Sequence, residues 1–327
     1  MNECMGTDKP LISILMAVYE PRIDWFREQL RSLNQQTYPN LRLYIRDDCS
    51  PTVSMAEIQS CVQDCISAFP VVLERNEKNQ GSNATFQKLT EEGAGDYFAY
   101  CDQDDIWLPD KLQVLQQTIE AEEALLVCSD VYIIDGMGNK TADSITQARR
   151  HHVFHSGDHC AKGLLVRNFV IGCTMLVSSS VAKQCIPFCP YMVHDHYIAL
   201  CCAERGKIYS ITEPLIQYRV HGGNQTGLLA GVKDRETYGK VRIDLGVNKF
   251  KWLLQYFPCS EITKREILKR SIWMESRQKN WQERKKRWTA LRYFMYSPIS
   301  TLFELLIVYL PDRVFYWCIQ RGKDNKV

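Results

Sequence analysis

Short apolar segments alternate with longer segments of mixed polarity along roughly the first 130 residues of the chain. A brief apolar run bounded by turn-forming residues predicts a buried strand, and apolar positions that recur every three to four residues predict a helix. The predicted strands are residues 11–18, 41–46, 71–74, 97–101 and 125–129, and the predicted helices are residues 23–36, 55–69, 83–92 and 111–120. This alternation is typical of βαβ units, so we expect an open, mostly parallel sheet flanked by helices.

The pattern becomes irregular after residue 132. Residues 136–160 are polar and include four histidines (151, 152, 155 and 159), which predicts a long loop or lid. These histidines lack a carboxylate or cysteine partner at zinc-finger spacing, so we interpret them as loop residues and not as a zinc site. The elements predicted beyond the loop are an apolar segment at 170–177, a helix at 194–204, strands at 208–211 and 215–220, and helices from about 230 onward.

The length of 327 residues exceeds that of one average domain. We therefore expect an α/β domain over residues 1–228, composed of halves at about 10–130 and 131–228. A helical extension is expected over residues 229–327.

Three carboxylates follow the strand at 97–101 within four residues, namely Asp102, Asp104 and Asp105. Crowded carboxylates repel one another unless a cation neutralises them. Oxygen ligands in this number suit Mg²⁺ or Mn²⁺, which would in turn hold a diphosphate. A solvated acidic turn that caps the next helix is the alternative interpretation.

Polar and flexible residues also follow the other strands, at the edge of the sheet where ligands of α/β proteins bind. Asp47 and Asp48 come after the second strand, and such carboxylates can accept hydrogen bonds from a nucleobase or a ribose, although a plain turn would use the same residues. Residues 17–20, after the first strand, offer backbone contacts and an aromatic ring. Gly81 permits a close approach at the start of the third helix, where an anionic group is favoured.

The second half of the chain adds a cation and an imidazole at the end of the last strand. Arg219 and His221 are followed by two glycines and Asn224, a composition that suits a loop closing on a diphosphate, with His221 as a further metal ligand.

Four motifs together carry a resemblance to a known family. They are A-V-Y-E-P from residue 17, D-D-C-S from 47, N-Q-G-S-N from 79 and Y-C-D-Q-D-D-I-W-x-P-D-K from 100. In this order they resemble the inverting family-two glycosyltransferases with the GT-A fold, in particular bacterial rhamnosyltransferases that build surface polysaccharides. The resemblance spans about residues 10–225. It departs from the family pattern at Glu20-Pro21, where Asn is common.

The resemblance implies roles for individual residues. A nucleotide sugar would contact Ala17, Tyr19, Glu20, Asp47, Asp48, Gly81, Asn83, Asp102, Gln103 and Arg219. Mg²⁺ or Mn²⁺ would be held by Asp102, Asp104 and His221. The acceptor would lie near Gly172, Cys173, Thr174 and His194. Asp195 would be the catalytic base, with a helix N-cap as its alternative role.

Net charge and cysteine content bear on the binding partners and on the cellular compartment of the protein. A formal net charge of +2 does not indicate a nucleic-acid-binding protein. Many of the fourteen cysteines lie inside apolar runs, as at Cys101, Cys128, Cys173, Cys201 and Cys202, which indicates buried thiols and not a disulfide framework. The apolar run at 11–18 is too short to span a membrane. We expect a cytoplasmic protein.

The C-terminal extension is strongly basic. Residues 264–292 contain eleven Lys or Arg and three Glu, interleaved with Trp and Tyr. Basic amphipathic helices with aromatic residues suit an anionic membrane surface, so we expect peripheral attachment at the cytosolic face. Packing against the catalytic domain or against a second copy, as in a homodimer, is the alternative. The apolar run at 299–310 is too short to span a membrane comfortably and is interrupted by Glu304.

The sequence as a whole predicts a metal-dependent inverting glycosyltransferase. By resemblance, it would move rhamnose from dTDP-rhamnose to a hydroxyl of a lipid-linked glycan. A nucleotidyltransferase would normally carry a glycine-rich loop with arginine after the first strand, and residues 17–22 contain no glycine. A catalytically silent scaffold of the same fold is a second alternative, disfavoured by the presence of Asp102, Asp104, Asp195, Arg219 and His221 together.

Overall fold

The computed structural model describes residues 9–149, 151–222, 231–283, 294–307 and 309–324. They fall into two compact units. The first comprises the residues up to Leu164 together with Asn168–Phe188 and Val193–His221, and the second comprises Leu165–Arg167, Cys189–Met192 and the residues from Gly222 onward. The domain boundary expected at residue 228 lies outside the described residues and stays a prediction.

The first part of the chain alternates strands and helices as predicted. The elements are β1 (Ile12–Val18), α1 (Ile23–Asn34), β2 (Leu41–Asp47), α2 (Met55–Cys65), β3 (Val71–Arg75), α3 (Ser82–Glu92), β4 (Tyr97–Cys101), β5 (Ile106–Trp107) and α4 (Lys111–Ala121). Helix α2 ends four residues before the predicted end at residue 69. Ile66 is extended there, and the amide groups of Ser67 and Ala68 donate to the side chain of Asn34 instead of continuing the helix.

The later elements differ more from the prediction. They are β6 (Leu126–Ile134), β7 (Lys140–Ala142), α5 (Ile145–Ala148), α6 (Ala161–Leu164), a 3₁₀ turn (Gly172–Thr174), β8 (Met175–Ser178), α7 (Ser179–Gln184), α8 (His194–Arg205) and β9 (Ile208–Arg219). The segment predicted as one long loop at 136–160 therefore contains β7 and α5. The strands predicted at 208–211 and 215–220 form the single strand β9, whose register against β6 shifts opposite Asp130 and Pro214.

The nine strands in the described part of the chain form one sheet. Their order is β3-β2-β1-β4-β8-β6-β9-β5, and β7 pairs with β6. The longest ladders are parallel (β1 with β2 and β4, β2 with β3, and β6 with β9), whereas β8 runs antiparallel between β4 and β6. Strands β1, β2, β3, β4, β6 and β9 consequently point the same way. Their carboxyl ends share one edge of the sheet, as ligand binding in this architecture requires.

The core of the first unit lies on both faces of the central strands. Ile12 to Met16 are all buried, which is typical of a parallel strand covered by helices on both sides. The thiols of Cys101, Cys128, Cys173, Cys201 and Cys202 are free and buried, in agreement with the expectation from their apolar surroundings.

The second unit is helical, as predicted. Its elements are α9 (Arg235–Tyr238), a short π-helical segment (Gly239–Asp244), α10 (Leu245–Tyr256), α11 (Glu261–Glu283), a 3₁₀ turn (Phe294–Tyr296), α12 (Pro298–Ile307) and α13 (Asp312–Asp324). A small apolar core joins Tyr238 and Ile243 to Ile307, Phe315 and Ile319. Within the described ranges, no helix combines the length and apolarity needed to cross a bilayer.

Candidate active site

The acidic loop after β4 is crowded, as its sequence predicts. Asp105 is fully buried, and its Oδ1 accepts the backbone N–H of Arg219 at 2.9 Å. Burial, together with the negative charges of Asp104 and Asp195, raises the pKa of Asp102 to about 7. A cation at this loop would relieve the repulsion.

Two of the predicted metal ligands meet at the rim of this loop. Nε2 of His221 lies 2.8 Å from Oδ2 of Asp104, and both side chains are partly exposed. The ring of His221 also packs against Trp25, with ring centroids 4.9 Å apart. The end of β9 and the loop after β4 therefore present an imidazole and a carboxylate together. Gly223 and Asn224, which complete the predicted motif, lie outside the described residues.

A second group of possible ligands lies deeper in the same loop. Ligand atoms of Asp102, Asp105 and Cys173 are all within 4.8 Å of one another. Burial holds the pKa of the Cys173 thiol well above its usual range, so the sulfur stays protonated, and Mg²⁺ and Mn²⁺ prefer oxygen ligands. The amino group of Lys111 also lies here and donates to the carbonyl of Cys173 at 2.6 Å, and burial lowers its pKa to about 7. At the rim, Asp104 and His221 offer a carboxylate oxygen and an imidazole nitrogen, which suit a divalent cation better than a protonated thiol does. The structure groups Asp102 with the deeper set, so its role beside Asp104 and His221 stays a prediction.

Arg219 holds the acidic loop in place. Its buried guanidinium donates from Nε to the carbonyl of Asp104 at 2.8 Å, from Nη1 to the carbonyl of Asp135 at 3.3 Å and from Nη2 to Oε2 of Glu28 at 2.6 Å. Each of its three nitrogens thus has a protein partner. The contact with a diphosphate expected for Arg219 stays a prediction. In the structure, Arg219 positions the acidic loop through its bond to the carbonyl of Asp104.

The loops after β1 and β4 are paired through a side-chain amide. Gln103 accepts the backbone N–H of Tyr19 at 2.8 Å and donates to its carbonyl at 3.1 Å. The ring of Tyr19 is exposed, and Ala17 is partly exposed at the end of β1. These four predicted donor contacts (Ala17, Tyr19, Asp102 and Gln103) therefore share the same edge of the sheet.

Glu20, where the sequence departs from the family pattern, supports the loop after β2. Its backbone φ is 47°, a left-handed conformation that Asn adopts more easily than Glu. Its carboxylate accepts the N–H of Thr52 at 2.8 Å and that of Val53 at 3.2 Å, which fixes the side chain in place. The departure thus has a structural use.

Asp47 and Asp48 shape the neighbouring loops. Asp47 is fully buried and accepts from Oγ of Ser50 at 2.5 Å and from Nε of Arg75 at 3.0 Å. Asp48 accepts from Nδ2 of Asn76 at 2.8 Å and from the N–H of Gly81 at 2.8 Å.

Gly81 has a φ of 83° and caps α3, whose first turn contains Asn83. Sequence reasoning missed Arg75 and Asn76. Their position directly after the strand predicted at 71–74 was the signal that could have found them, because that strand ends at the same edge of the sheet.

Asp195 is held in the first turn of α8 but is not its N-cap. The cap residue is Val193, and no side chain caps this helix. Oδ2 of Asp195 accepts the N–H of Gly172 at 2.9 Å, and Oδ1 accepts from Nδ2 of Asn168 at 3.1 Å and from the N–H of His196 at 2.5 Å. Burial raises the pKa of Asp195 to about 6. Asn168 is another residue that the sequence did not reveal.

The remaining acceptor-side residues are buried around Asp195. The ring of His194 stacks on Phe86 with centroids 3.9 Å apart, and burial lowers its pKa to about 3, so the imidazole is neutral. Cys173 and Thr174 are also buried, and Oγ1 of Thr174 donates to the carbonyl of Ile171 at 2.7 Å. Contact of these residues with an acceptor stays a prediction.

A side chain at Gly172 would crowd its neighbours. A Cβ at this position would lie 3.0 Å from Nε2 of His194 and 3.4 Å from Cβ of Asp195. We expect Gly172→Ala to displace the first turn of α8, to lower the free energy of unfolding by about 1–3 kcal/mol and to lower transfer by roughly 10-fold or more. Gly163→Ala is the matched control, since a Cβ there meets nothing within 4 Å. Wild-type turnover in a stable Gly172→Ala protein would contradict the expectation.

Comparison with known proteins gives the family. Residues 13–184, more than half of the chain, match the sequence profile described as Glycosyl transferase family 2. The chain belongs to this family. It is therefore a glycosyltransferase that uses a nucleotide-sugar donor.

Individual relatives agree with this assignment. The dTDP-rhamnosyl transferase RfbG of Shigella flexneri is 25% identical over 247 residues, covering 72% of this chain and 80% of RfbG. Staphylococcus aureus TarS, solved with UDP-GlcNAc, superposes with a TM-score of 0.59 at 13% identity, covering 96% of this chain and 88% of that one. The mannosyltransferase PcManGT of Pyrobaculum calidifontis, solved with GDP-Man and Mn²⁺, gives a TM-score of 0.55 at 13% identity, covering 98% and 86%. The GT-A fold predicted from the sequence is confirmed.

Proposed function

We propose that this glycosyltransferase is metal-dependent and inverting, and that it moves rhamnose from dTDP-rhamnose to a hydroxyl of a lipid-linked glycan in polysaccharide synthesis. The observation that carries the proposal is the placement of Asp195, a buried carboxylate with a raised pKa. Its negative charge contributes to the raised pKa of Asp102, so it lies close to the acidic loop. Transfer to a hydroxyl needs a base beside a loop that can bind a metal cation and, through that cation, the diphosphate of the donor.

The donor would bind along the carboxyl edge of the sheet. The exposed ring of Tyr19 offers a surface for the base, while the partly exposed Arg75, paired to Asp47, offers a cation beside it. Gly81 lies at the N-terminus of α3, where backbone N–H groups favour an anionic group. Asp48, Glu20 and Arg219 would act mainly by holding these loops in shape.

The residues that would hold Mg²⁺ or Mn²⁺ are Asp102, Asp104 and His221. A bound cation supplies positive charge that neutralises the leaving nucleoside diphosphate. PcManGT, of the same fold, was solved with Mn²⁺, which supports this choice of metal class.

The acceptor would approach from the side of Asp195. Its carboxylate would take the proton from the attacking hydroxyl while the leaving group departs from the opposite face of the sugar, so the anomeric configuration inverts. The N–H groups of Gly172, Asn168 and His196 keep the carboxylate in position. The choice of rhamnose follows the likeness to RfbG.

A panel of nucleotide sugars tests the proposal. We expect slow hydrolysis of dTDP-rhamnose, faster with Mn²⁺ than with excess chelator, and little hydrolysis of UDP-GlcNAc or GDP-mannose. A preference for another donor would overturn the rhamnose assignment alone. Full activity in excess chelator would overturn the metal requirement. Formation of a sugar nucleotide from a sugar phosphate would show a nucleotidyltransferase instead.

The metal ligands have a test of their own. We expect Asp104→Asn and His221→Ala each to weaken Mn²⁺-dependent binding of dTDP by at least about 10-fold, measured by titration calorimetry, because each removes one ligand. Asp110→Asn is the matched control, since Asp110 lies shortly after Asp104 in the chain, is exposed and makes no capping hydrogen bond with its side chain. Unchanged Mn²⁺ dependence in both variants would exclude the rim set and favour the deeper group of Asp102, Asp105 and Cys173.

We also propose that the C-terminal extension attaches the enzyme to the cytosolic face of an anionic membrane, where a lipid-linked acceptor would be found. The composition of residues 264–292 supports this proposal. Pairing of two copies through the same extension is the alternative.

A further inference from the structure

Several basic and aromatic residues of the segment 264–292 are buried and cannot contact a membrane surface. Among its residues, Arg270, Arg277 and Trp273 are buried. Arg270 lies 3.1 Å from Glu266 in an ion pair along α11. Residues 284–287 and 292, which hold much of the remaining basic charge, lie outside the described residues.

Glu304, which interrupts the apolar run at 299–310, points into the protein. Its carboxylate accepts from Nε of Arg277 at 2.8 Å and from the hydroxyl of Tyr238 at 2.9 Å, and it is almost completely buried. The one charge of α12 is thereby removed from its outer face. The exposed side of α12 therefore carries no charged side chain, although the sequence predicts an interruption at Glu304.

The outer face of α12 is a stripe of large apolar side chains. Ile299, Leu302 and Leu306 are exposed at a spacing of three and four residues, so they share one side of the helix, and Tyr309 and Leu310 follow them in the turn that leads to α13. We call these five residues the α12 stripe. Large adjacent exposed apolar residues are uncommon on a protein that functions free in water.

The chemistry around the stripe favours a lipid surface. On α13, Arg313, Trp317 and Arg321 are exposed at intervals of four residues, and the guanidinium of Arg321 lies 5.2 Å from the ring of Trp317. Residues 284–327 contain nine Lys or Arg and three acidic residues, an excess of six positive charges. An apolar face next to Trp, Tyr and Arg is the composition of interfacial helices, and the charge complements anionic headgroups.

We infer that the α12 stripe inserts into the headgroup and acyl boundary of an anionic bilayer, with α13 at the level of the headgroups. This inference deepens the membrane attachment proposed above and does not depend on the transfer chemistry. In this arrangement α12 supplies the apolar contact with the bilayer, and the basic residues supply the electrostatic attraction to its anionic surface.

A matched pair of double variants tests the stripe without any change of charge. Ile299 and Ile262 are each the second residue of a helix and are 84% and 80% exposed, and Leu306 and Leu268 are both exposed. We expect Ile299→Ser with Leu306→Ser to lower partition of the full chain onto phosphatidylglycerol-containing vesicles by at least about 10-fold. Ile262→Ser with Leu268→Ser on α11 should change partition less than about 2-fold.

Three results would overturn the inference. The first is that the wild-type chain does not bind these vesicles at low salt, and the second is that the two double variants lower partition equally. The third is a wild-type dimer that the α12 variant converts to a monomer while vesicle binding is absent. The last would assign the stripe to a second copy of the chain. Hydrolysis of the donor, measured on the same proteins without vesicles, reports on the proposed function separately. Loss of vesicle binding with normal hydrolysis, or the reverse, shows which of the two has failed.

Discussion

Replacing Asp195 with Asn should lower the rate of sugar transfer by at least about 100-fold. A hydroxyl is a poor nucleophile at neutral pH, and a positioned base typically contributes about 10²–10⁴-fold. Asn cannot take up the proton. We expect the affinity for donor and Mn²⁺ to change little, the pattern of an interaction lost in the transition state.

The structure also predicts the cost of this variant to stability. The three N–H donors of Gly172, Asn168 and His196 converge on the carboxylate of Asp195. The amide nitrogen of Asn would face one of them, so the free energy of unfolding should fall by about 1–3 kcal/mol. The rate must therefore be measured per folded molecule, alongside thermal unfolding.

Asn168→Ala is the control, because it removes one hydrogen-bond donor and keeps the base. We expect it to lower transfer less than about 10-fold. Normal turnover by a folded Asp195→Asn protein would remove Asp195 from the mechanism.

The pH profile offers an independent test of the same base. Burial raises the pKa of Asp195 to about 6, so the carboxylate is charged above that pH and protonated below it. Transfer should then rise with pH along a limb whose midpoint lies at or below about pH 6, since a nearby metal cation favours the charged form and can only lower this pKa. The limb should be lost in the residual activity of Asp195→Asn. A midpoint that is identical in wild type and variant would assign the limb to another group.

Much of this architecture follows from local patterns. The strands β1, β2 and β4 were predictable because each is a short apolar run bounded by polar or turn-forming residues. The meeting of Asp104 and His221 was predictable in outline, since both follow strands whose carboxyl ends share an edge of the sheet. The irregular region around β7 and β9 was less predictable because a bulge at Pro214 breaks the alternation of β9.

What the sequence could not reveal are the partners of charged residues far apart in the chain. Glu20 pairs with Thr52, 32 residues away, Glu304 with Arg277, 27 residues away, and Arg219 with Glu28, 191 residues away. A local pattern shows that such a residue is charged, but not whether its charge faces solvent, a ligand or another side chain. For this reason the sequence predicts a donor contact for Arg219 and an interrupted apolar run at Glu304.

Arg219→Lys should lower stability and weaken Mn²⁺ and donor binding together. Lys offers one nitrogen where the guanidinium makes three separate contacts, with Asp104, Asp135 and Glu28. Buried carbonyl groups that lose their donors cost about 1–3 kcal/mol each, so we expect the free energy of unfolding to fall by about 3 kcal/mol, measured by urea denaturation. Because the loop of Asp104 is then released, the rim ligands lose their alignment.

Glu28→Gln separates positioning from direct contact with the donor. Glu28 is about half exposed, so loss of its charge should cost less than about 1 kcal/mol and leave both affinities nearly unchanged. If Arg219 instead binds the diphosphate itself, Arg219→Lys should weaken dTDP binding while Mn²⁺ binding and the free energy of unfolding stay close to wild type. Calorimetric titration of the metal alone, and then of dTDP in its presence, distinguishes the two roles. With all three guanidinium nitrogens bound to protein partners, we expect the metal and the nucleotide to lose affinity in parallel.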